Sequence, residues 1–130
     1  MTAELAALST IGLLHFAGIF IAQRFLTRDI GTDGNMGTRE NLDARLSPIS
    51  LRLRRANANL LENLGPFIIA VLVVVLAGKI SALTAGLAWV FVGARVLYYP
   101  AYAFGWVPWR SLIWSVGAVA TLALLILGLI

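Results

Sequence analysis

The sequence contains no cysteine and a single histidine. Disulfides, thiolate metal sites and a cysteine nucleophile are thereby excluded, and any thiol chemistry must use a thiol carried by a ligand. Charge is scarce as well: 12% of the 130 residues are Asp, Glu, Lys or Arg, against about 25% in soluble domains. No zinc-type ligand cluster and no Ser-His-Asp set is present, and Gly31-Thr32-Asp33-Gly34-Asn35 has neither the length nor the following lysine of a nucleotide loop.

Apolar sequence is what the chain has in quantity: 60% of residues are hydrophobic and the mean hydropathy is +0.89. Four apolar runs can be read, at residues 5 to about 26, 63–78, 80–94 and 111–130. A bilayer core about 30 Å thick needs roughly 20 helical residues. The fourth run meets that length unaided, whereas the second and third must borrow polar neighbours. The expected architecture is an all-α membrane protein, a single domain over 1–130 with helices at about 5–26, 49–78, 80–104 and 110–130. Glu4 stands where a cleaved signal would carry basic residues, so the first run is expected to be a retained helix.

Residues 27–48 are rich in Gly, Asn and Asp without helical periodicity and are expected to form a loop, with Ser47 and Pro48 positioned to start the second helix. The net charge is +4. The positive charges are not spread as a nucleic-acid surface would require, and no nucleic-acid partner is expected. Arg24, Arg28, Arg39, Arg45, Arg52, Arg54 and Arg55 surround the first connection, Arg95 and Arg110 flank the third, and Lys79 alone sits at the opposite end. For helices in up-down order the positive-inside rule puts the first and third connections in the cytoplasm and both termini on the other side. Arg39 and Arg45 are read as topology signals or headgroup contacts.

The short connection at 77–81, AGKIS, makes the second and third helices antiparallel neighbours and sets a common depth scale. Glu62 and Arg95 lie 17 and 16 residues from Lys79, roughly 24 to 26 Å along their helices. On the same scale Asn59 stands near Tyr98 and Arg55 near Tyr102. Arg55, Asn59, Glu62 and Asn63 share one helix face, with Arg52 one turn earlier, and Arg95, Tyr98 and Tyr102 share another. Ionisable side chains inside a bilayer cost roughly 2.5 to 3.5 kcal/mol each on insertion scales, so both stripes are expected to face protein or a watery cavity. Such a cavity suits a small anionic or zwitterionic molecule, arginine receiving a carboxylate and Glu62 an ammonium.

Structural readings stand beside that one. Glu62 and Arg95 could form a buried ion pair, Asn59 and Asn63 could tie helices together, and Tyr99, Trp106 and Trp109 could belong to an interfacial aromatic belt. His15 reads as a hydrogen-bonded core residue. A transporter would need a polar path to the far side, and the apolar stretch from Phe67 to Leu76 speaks against one.

The pattern Arg55-x-x-x-Asn59-x-x-Glu62-Asn63-x-x-Pro66-Phe67, followed by Arg95-x-x-Tyr98-x-x-x-Tyr102 and by Arg110 opening the last helix, resembles the MAPEG family, the membrane-associated proteins of eicosanoid and glutathione metabolism that include the microsomal glutathione transferases. The resemblance covers about residues 50–125. It implies a four-helix bundle assembled as a homotrimer, with glutathione bound as cosubstrate between subunits near the cytoplasmic face. Carried over by residue, it implies a glutathione site of Arg55, Asn57, Asn59, Glu62, Arg95, Tyr98 and Tyr102, with Arg110 near the sulfur and Tyr98 or Tyr102 as the alternative donor to it. Asn57 stands where some members carry histidine or glutamine. A first-helix arginine also contributes in some members, and here Arg24 and Arg28 both qualify. The function implied is a glutathione-dependent transferase or peroxidase acting on hydrophobic electrophiles or lipid hydroperoxides, without a metal. The alternative is a non-catalytic membrane protein of the same fold that binds glutathione or only scaffolds.

Overall fold

The structure, a computed structural model, describes residues 1–130. It contains helices and no strands. Thr2 caps the first helix, its hydroxyl accepting from the Leu5 N–H at 3.2 Å, and α1 runs from Ala3 to Met36. α1 therefore continues past the end of its apolar run. It is interrupted only at Gly31, where φ is +73°, a left-handed conformation that costs a residue with a Cβ about 1 kcal/mol or more. A short helix, α2, follows at Leu42–Arg45.

The loop expected over 27–48 is thus only partly a loop, and the reason lies in contacts far apart in sequence. Asp29 accepts hydrogen bonds from the Ser47 N–H at 2.9 Å, the Ser47 hydroxyl at 2.7 Å and the Ser50 hydroxyl. Beyond Gly31 the chain folds back, and Asn35 donates to Thr27 at 2.8 Å and Gln23 at 3.2 Å. The Ser50 and Ser47 hydroxyls, with the Ser47 N–H, hold the Asp29 carboxyl well below the usual carboxylate range.

Asp29 thereby supports the start of α3, Pro48–Leu76, which Ser47 caps and Pro48 opens. α3 ends at a turn closed by the Lys79 N–H donating to the Val74 carbonyl at 2.9 Å, the bond typical of a helix finished by a left-handed glycine, here Gly78. Ser81 and Thr84 then form a reciprocal cap on α4, Ala82–Ala103. The Thr84 hydroxyl also donates to Glu4 Oε1 at 2.6 Å, so a carboxylate that is only 2% exposed pins the start of α1 to the start of α4. α5 spans Trp109–Leu129.

α1, α3, α4 and α5 are each long and apolar enough to cross a membrane. α1 packs on α3 and α4, α3 on α4 and α5, and α4 on α5. The shared core includes Ile11, Leu60, Phe67, Val71, Phe91 and Leu124, with the Phe67 and Phe91 rings stacked at 3.9 Å. Lipid tails are as apolar as this core, so close packing and interhelical hydrogen bonds hold the helices together. Leu13, Phe20, Leu83 and Leu122 lie on the outside, where a bilayer accepts them. His15 departs from expectation: its Nδ1 is enclosed without a hydrogen-bond partner.

Candidate functional site

On α3, Arg55, Ala58, Asn59 and Glu62 recur at helical spacing, and the structure turns this stripe toward an open groove. Tyr98 and Tyr102 of α4 form its floor, and Arg110, Ser111, Trp114 and Ser115 of α5 its second wall. The cavity measures about 650 Å³. Six of the residues carried by the resemblance therefore line one groove: Arg55, Asn59, Glu62, Tyr98, Tyr102 and Arg110.

The aromatic floor links two guanidiniums. Arg110 lies over the Tyr102 ring at 4.8 Å, Tyr102 meets Tyr98 with ring centroids 5.6 Å apart, and Arg95 lies over Tyr98 at 5.6 Å and Phe91 at 5.0 Å. Arg95 itself is behind the floor. Its Nη1 donates to Asn59 Oδ1 at 3.0 Å. The buried Glu62–Arg95 ion pair does not form, and Arg28–Asp29 is the sole ion pair in the chain. Glu62 is instead exposed in the groove while Arg95 is buried: residues at similar depth on neighbouring helices meet only if helix rotation turns both to the shared interface.

Asn57 is not in the groove. Its Nδ2 donates to the Gly18 carbonyl at 2.9 Å, and its Oδ1 accepts from the Tyr99 hydroxyl, so both ends of the carboxamide tie α3 to α1 and α4. The reading of Tyr99 as a belt residue is corrected by the same bond, since Tyr99 points inward. Trp106 and Trp109 are exposed around the α4–α5 connection. Asn63 closes on its own helix, donating to the Asn59 carbonyl at 2.7 Å, rather than bridging to another. Arg52 donates to the Ala103 carbonyl at 3.3 Å and finishes α4.

Of the two first-helix arginines, Arg28 is held by Asp29 at 3.3 Å, by Ser47 at 3.4 Å and over the Phe25 ring at 4.6 Å, whereas Arg24 is exposed with no such partner. Beyond Arg110, the α5 wall was missed by sequence reasoning. Its signal was present: Ser111, Trp114 and Ser115 follow Arg110 at spacings that keep them on one face.

The groove thus offers two guanidiniums, a carboxamide and two phenols to an anionic ligand, and one carboxylate to a cationic group. That donor set complements a small anionic or zwitterionic molecule. No trio of His, Asp or Glu side chains converges on a metal-sized space. Among known proteins, the family model described as the MAPEG family matches residues 2–130. No curated protein and no solved structure matches the chain significantly.

Proposed function

The chain belongs to the MAPEG family, and on that premise we propose that the groove binds glutathione as a thiolate and delivers it to hydrophobic electrophiles or lipid hydroperoxides. The observation that carries this reading is the convergence of Arg55, Asn59, Glu62, Tyr98, Tyr102 and Arg110 from three helices on one cavity. Arg55 and Asn59 receive glutathione carboxylates and Glu62 its ammonium. The open side of the groove, a strip of polar residues on a membrane-spanning bundle, is covered by a neighbouring subunit in a homotrimer of up-down bundles. The arginine-rich connections lie on the cytoplasmic side, where glutathione enters, and both termini on the other.

A free thiol with a pKa of about 8.5 is only a few per cent thiolate at neutral pH. A guanidinium within about 4 to 6 Å lowers such a pKa by about 1 to 3, so Arg110 stabilises the thiolate and the thiol proton leaves to water without a protein base. Tyr98 is the alternative donor to the sulfur. In transfer, the thiolate forms a carbon–sulfur bond as the leaving group departs with its electron pair. With a hydroperoxide, the thiolate takes the distal oxygen as the O–O bond breaks and the alkoxide is protonated to the alcohol. The glutathione sulfenic acid then reacts with a second glutathione to give disulfide and water. A bilayer delivers either apolar substrate laterally to the exposed face of Trp114.

Calorimetric titration of the purified protein with glutathione tests the site. Arg55→Ala and Glu62→Ala are expected to weaken binding by about tenfold or more, the effect of removing one charge-assisted contact. Unchanged affinity in both variants would contradict the assignment. Binding without any turnover across a panel of apolar electrophiles and hydroperoxides would favour the non-catalytic alternative.

A further inference from the structure

Arg95 is the largest fully buried side chain in the molecule, 1% exposed. It has no carboxylate partner. One of its nitrogens donates to Asn59, while Nε and Nη2 are enclosed with no partner. A buried guanidinium left this way is costly, and an apolar side chain of similar volume would cost the fold less. The unpartnered edge faces α5 at Gly117: a Cβ there would stand 2.9 Å from Nη2, 3.3 Å from Nε and 3.4 Å from Cζ. No other residue type leaves room for the guanidinium where it lies.

The consequence appears in the groove. An arginine can only donate, so it fixes Oδ1 of Asn59 toward itself and leaves the Asn59 Nδ2 as the end that is neither paired nor enclosed. Asn59 lines the groove. We infer that Gly117 and Arg95 form a positioning device for the site: the missing Cβ admits the guanidinium, and the guanidinium sets the Asn59 carboxamide with its N–H donors toward an anionic group of the ligand. Arg95 and Gly117 act through Asn59 and the Tyr98 ring. The inference rests on the glutathione reading for the identity of that ligand, and on the geometry alone for the positioning.

Gly117→Ala is the direct test, because the atom it displaces is the tip of a flexible side chain rather than backbone. Glutathione affinity is expected to fall about tenfold, the effect of one misdirected charge-assisted contact, and to fall no further when Gly117→Ala is added to Asn59→Ala. Gly93→Ala, whose Cβ meets nothing within 4 Å, is expected to bind as the unaltered protein does. Arg95→Met fills the space without donors and is expected to lose affinity to the same extent, which keeps the test available if Gly117→Ala does not assemble. The side-chain amide resonance of Asn59, identified by its loss in Asn59→Ala, gives a readout without ligand and is expected to move in Gly117→Ala.

Additive losses in the double variant, or an unmoved Asn59 resonance, would overturn the positioning role. Failure of the unaltered protein to bind glutathione would overturn the proposed ligand alone, and the resonance would then decide the inference.

Discussion

Asn57 and Asn59 stand two residues apart on α3 and serve opposite sides of it: Asn57 bridges Gly18 and Tyr99, whereas Asn59 takes the guanidinium of Arg95 and lines the groove. Two residues are about 200° of helical rotation. Within one chain, a ligand in the groove can therefore reach Asn59 and not Asn57.

Asn57→Ala is expected to damage the bundle rather than the site. Interhelical hydrogen bonds in membranes average about 0.6 kcal/mol each, and this change removes two, so a loss of about 1 kcal/mol should appear in unfolding measured in detergent. Glutathione affinity should change less than about threefold, a difference under the worth of one hydrogen bond. A larger loss of affinity with unchanged stability would put Asn57 in the site after all.

Gly18→Ala probes the same junction from α1. A Cβ there would clash with Asn57 Oδ1 and the Tyr99 hydroxyl oxygen, so the junction must open. Overpacking of this kind costs about 1 to 3 kcal/mol, and the variant should unfold at lower denaturant concentration. Tyr99→Phe removes the hydroxyl and is expected to restore part of the loss. Wild-type stability in Gly18→Ala would mean the three helices do not meet as described.

Asn59→Leu leaves Arg95 without its one hydrogen-bond partner. Hydrogen bonds to charged groups contribute about 1.5 to 3 kcal/mol, so this variant is expected to be less stable by that amount. Adding Arg95→Met should recover most of it, because the orphaned charge goes too. No recovery in the double variant would show that Arg95 supports the fold in some way other than through Asn59.

The fold beyond Leu26 should respond to acid. Asp29 has a depressed pKa, so its contribution is fully present above the unfolded value of 3.8 and declines as pH falls toward the lower folded value. Pepsin cleavage between Thr32 and Arg45, taken relative to an unstructured peptide cleaved at the same pH, is expected to accelerate below about pH 4, where Asp29 takes up a proton in the opened segment but not in the folded one. On that relative scale Asp29→Asn should be cleaved quickly at every pH tested, with the acid dependence lost. An identical pH profile in Asp29→Asn would assign the transition to another group.

What could be read in advance followed from local pattern. Ser47-Pro48 and the AGKIS turn carry their own boundary chemistry, and α3 and α4 begin and end within about two residues of the expected positions, the usual uncertainty of helix ends. The stripe of Arg55, Asn59 and Glu62 is a statement about rotation within one helix, and it survives folding unchanged. Asn57 lies off that stripe by the same arithmetic and entered the expected site through resemblance alone. Legibility ended where the rotation of one helix against another decides the outcome: Arg95 shares its face with Tyr98 but turns behind it, and Glu62 turns to the groove. It ended also at Asp29, Ser47 and Ser50, whose bonds span 18 to 21 residues and override the turn-forming composition around them.

Arg110 lies over the Tyr102 ring at the groove wall, where we propose that it holds glutathione as a thiolate. Ultraviolet difference titration of bound glutathione against pH tests it most directly. A thiolate band is expected in the unaltered protein with a midpoint about 1 to 3 pH units below that of free glutathione, returning toward the free value in Arg110→Ala. Glutathione bound without the band, or a midpoint that Arg110→Ala leaves in place, would contradict it.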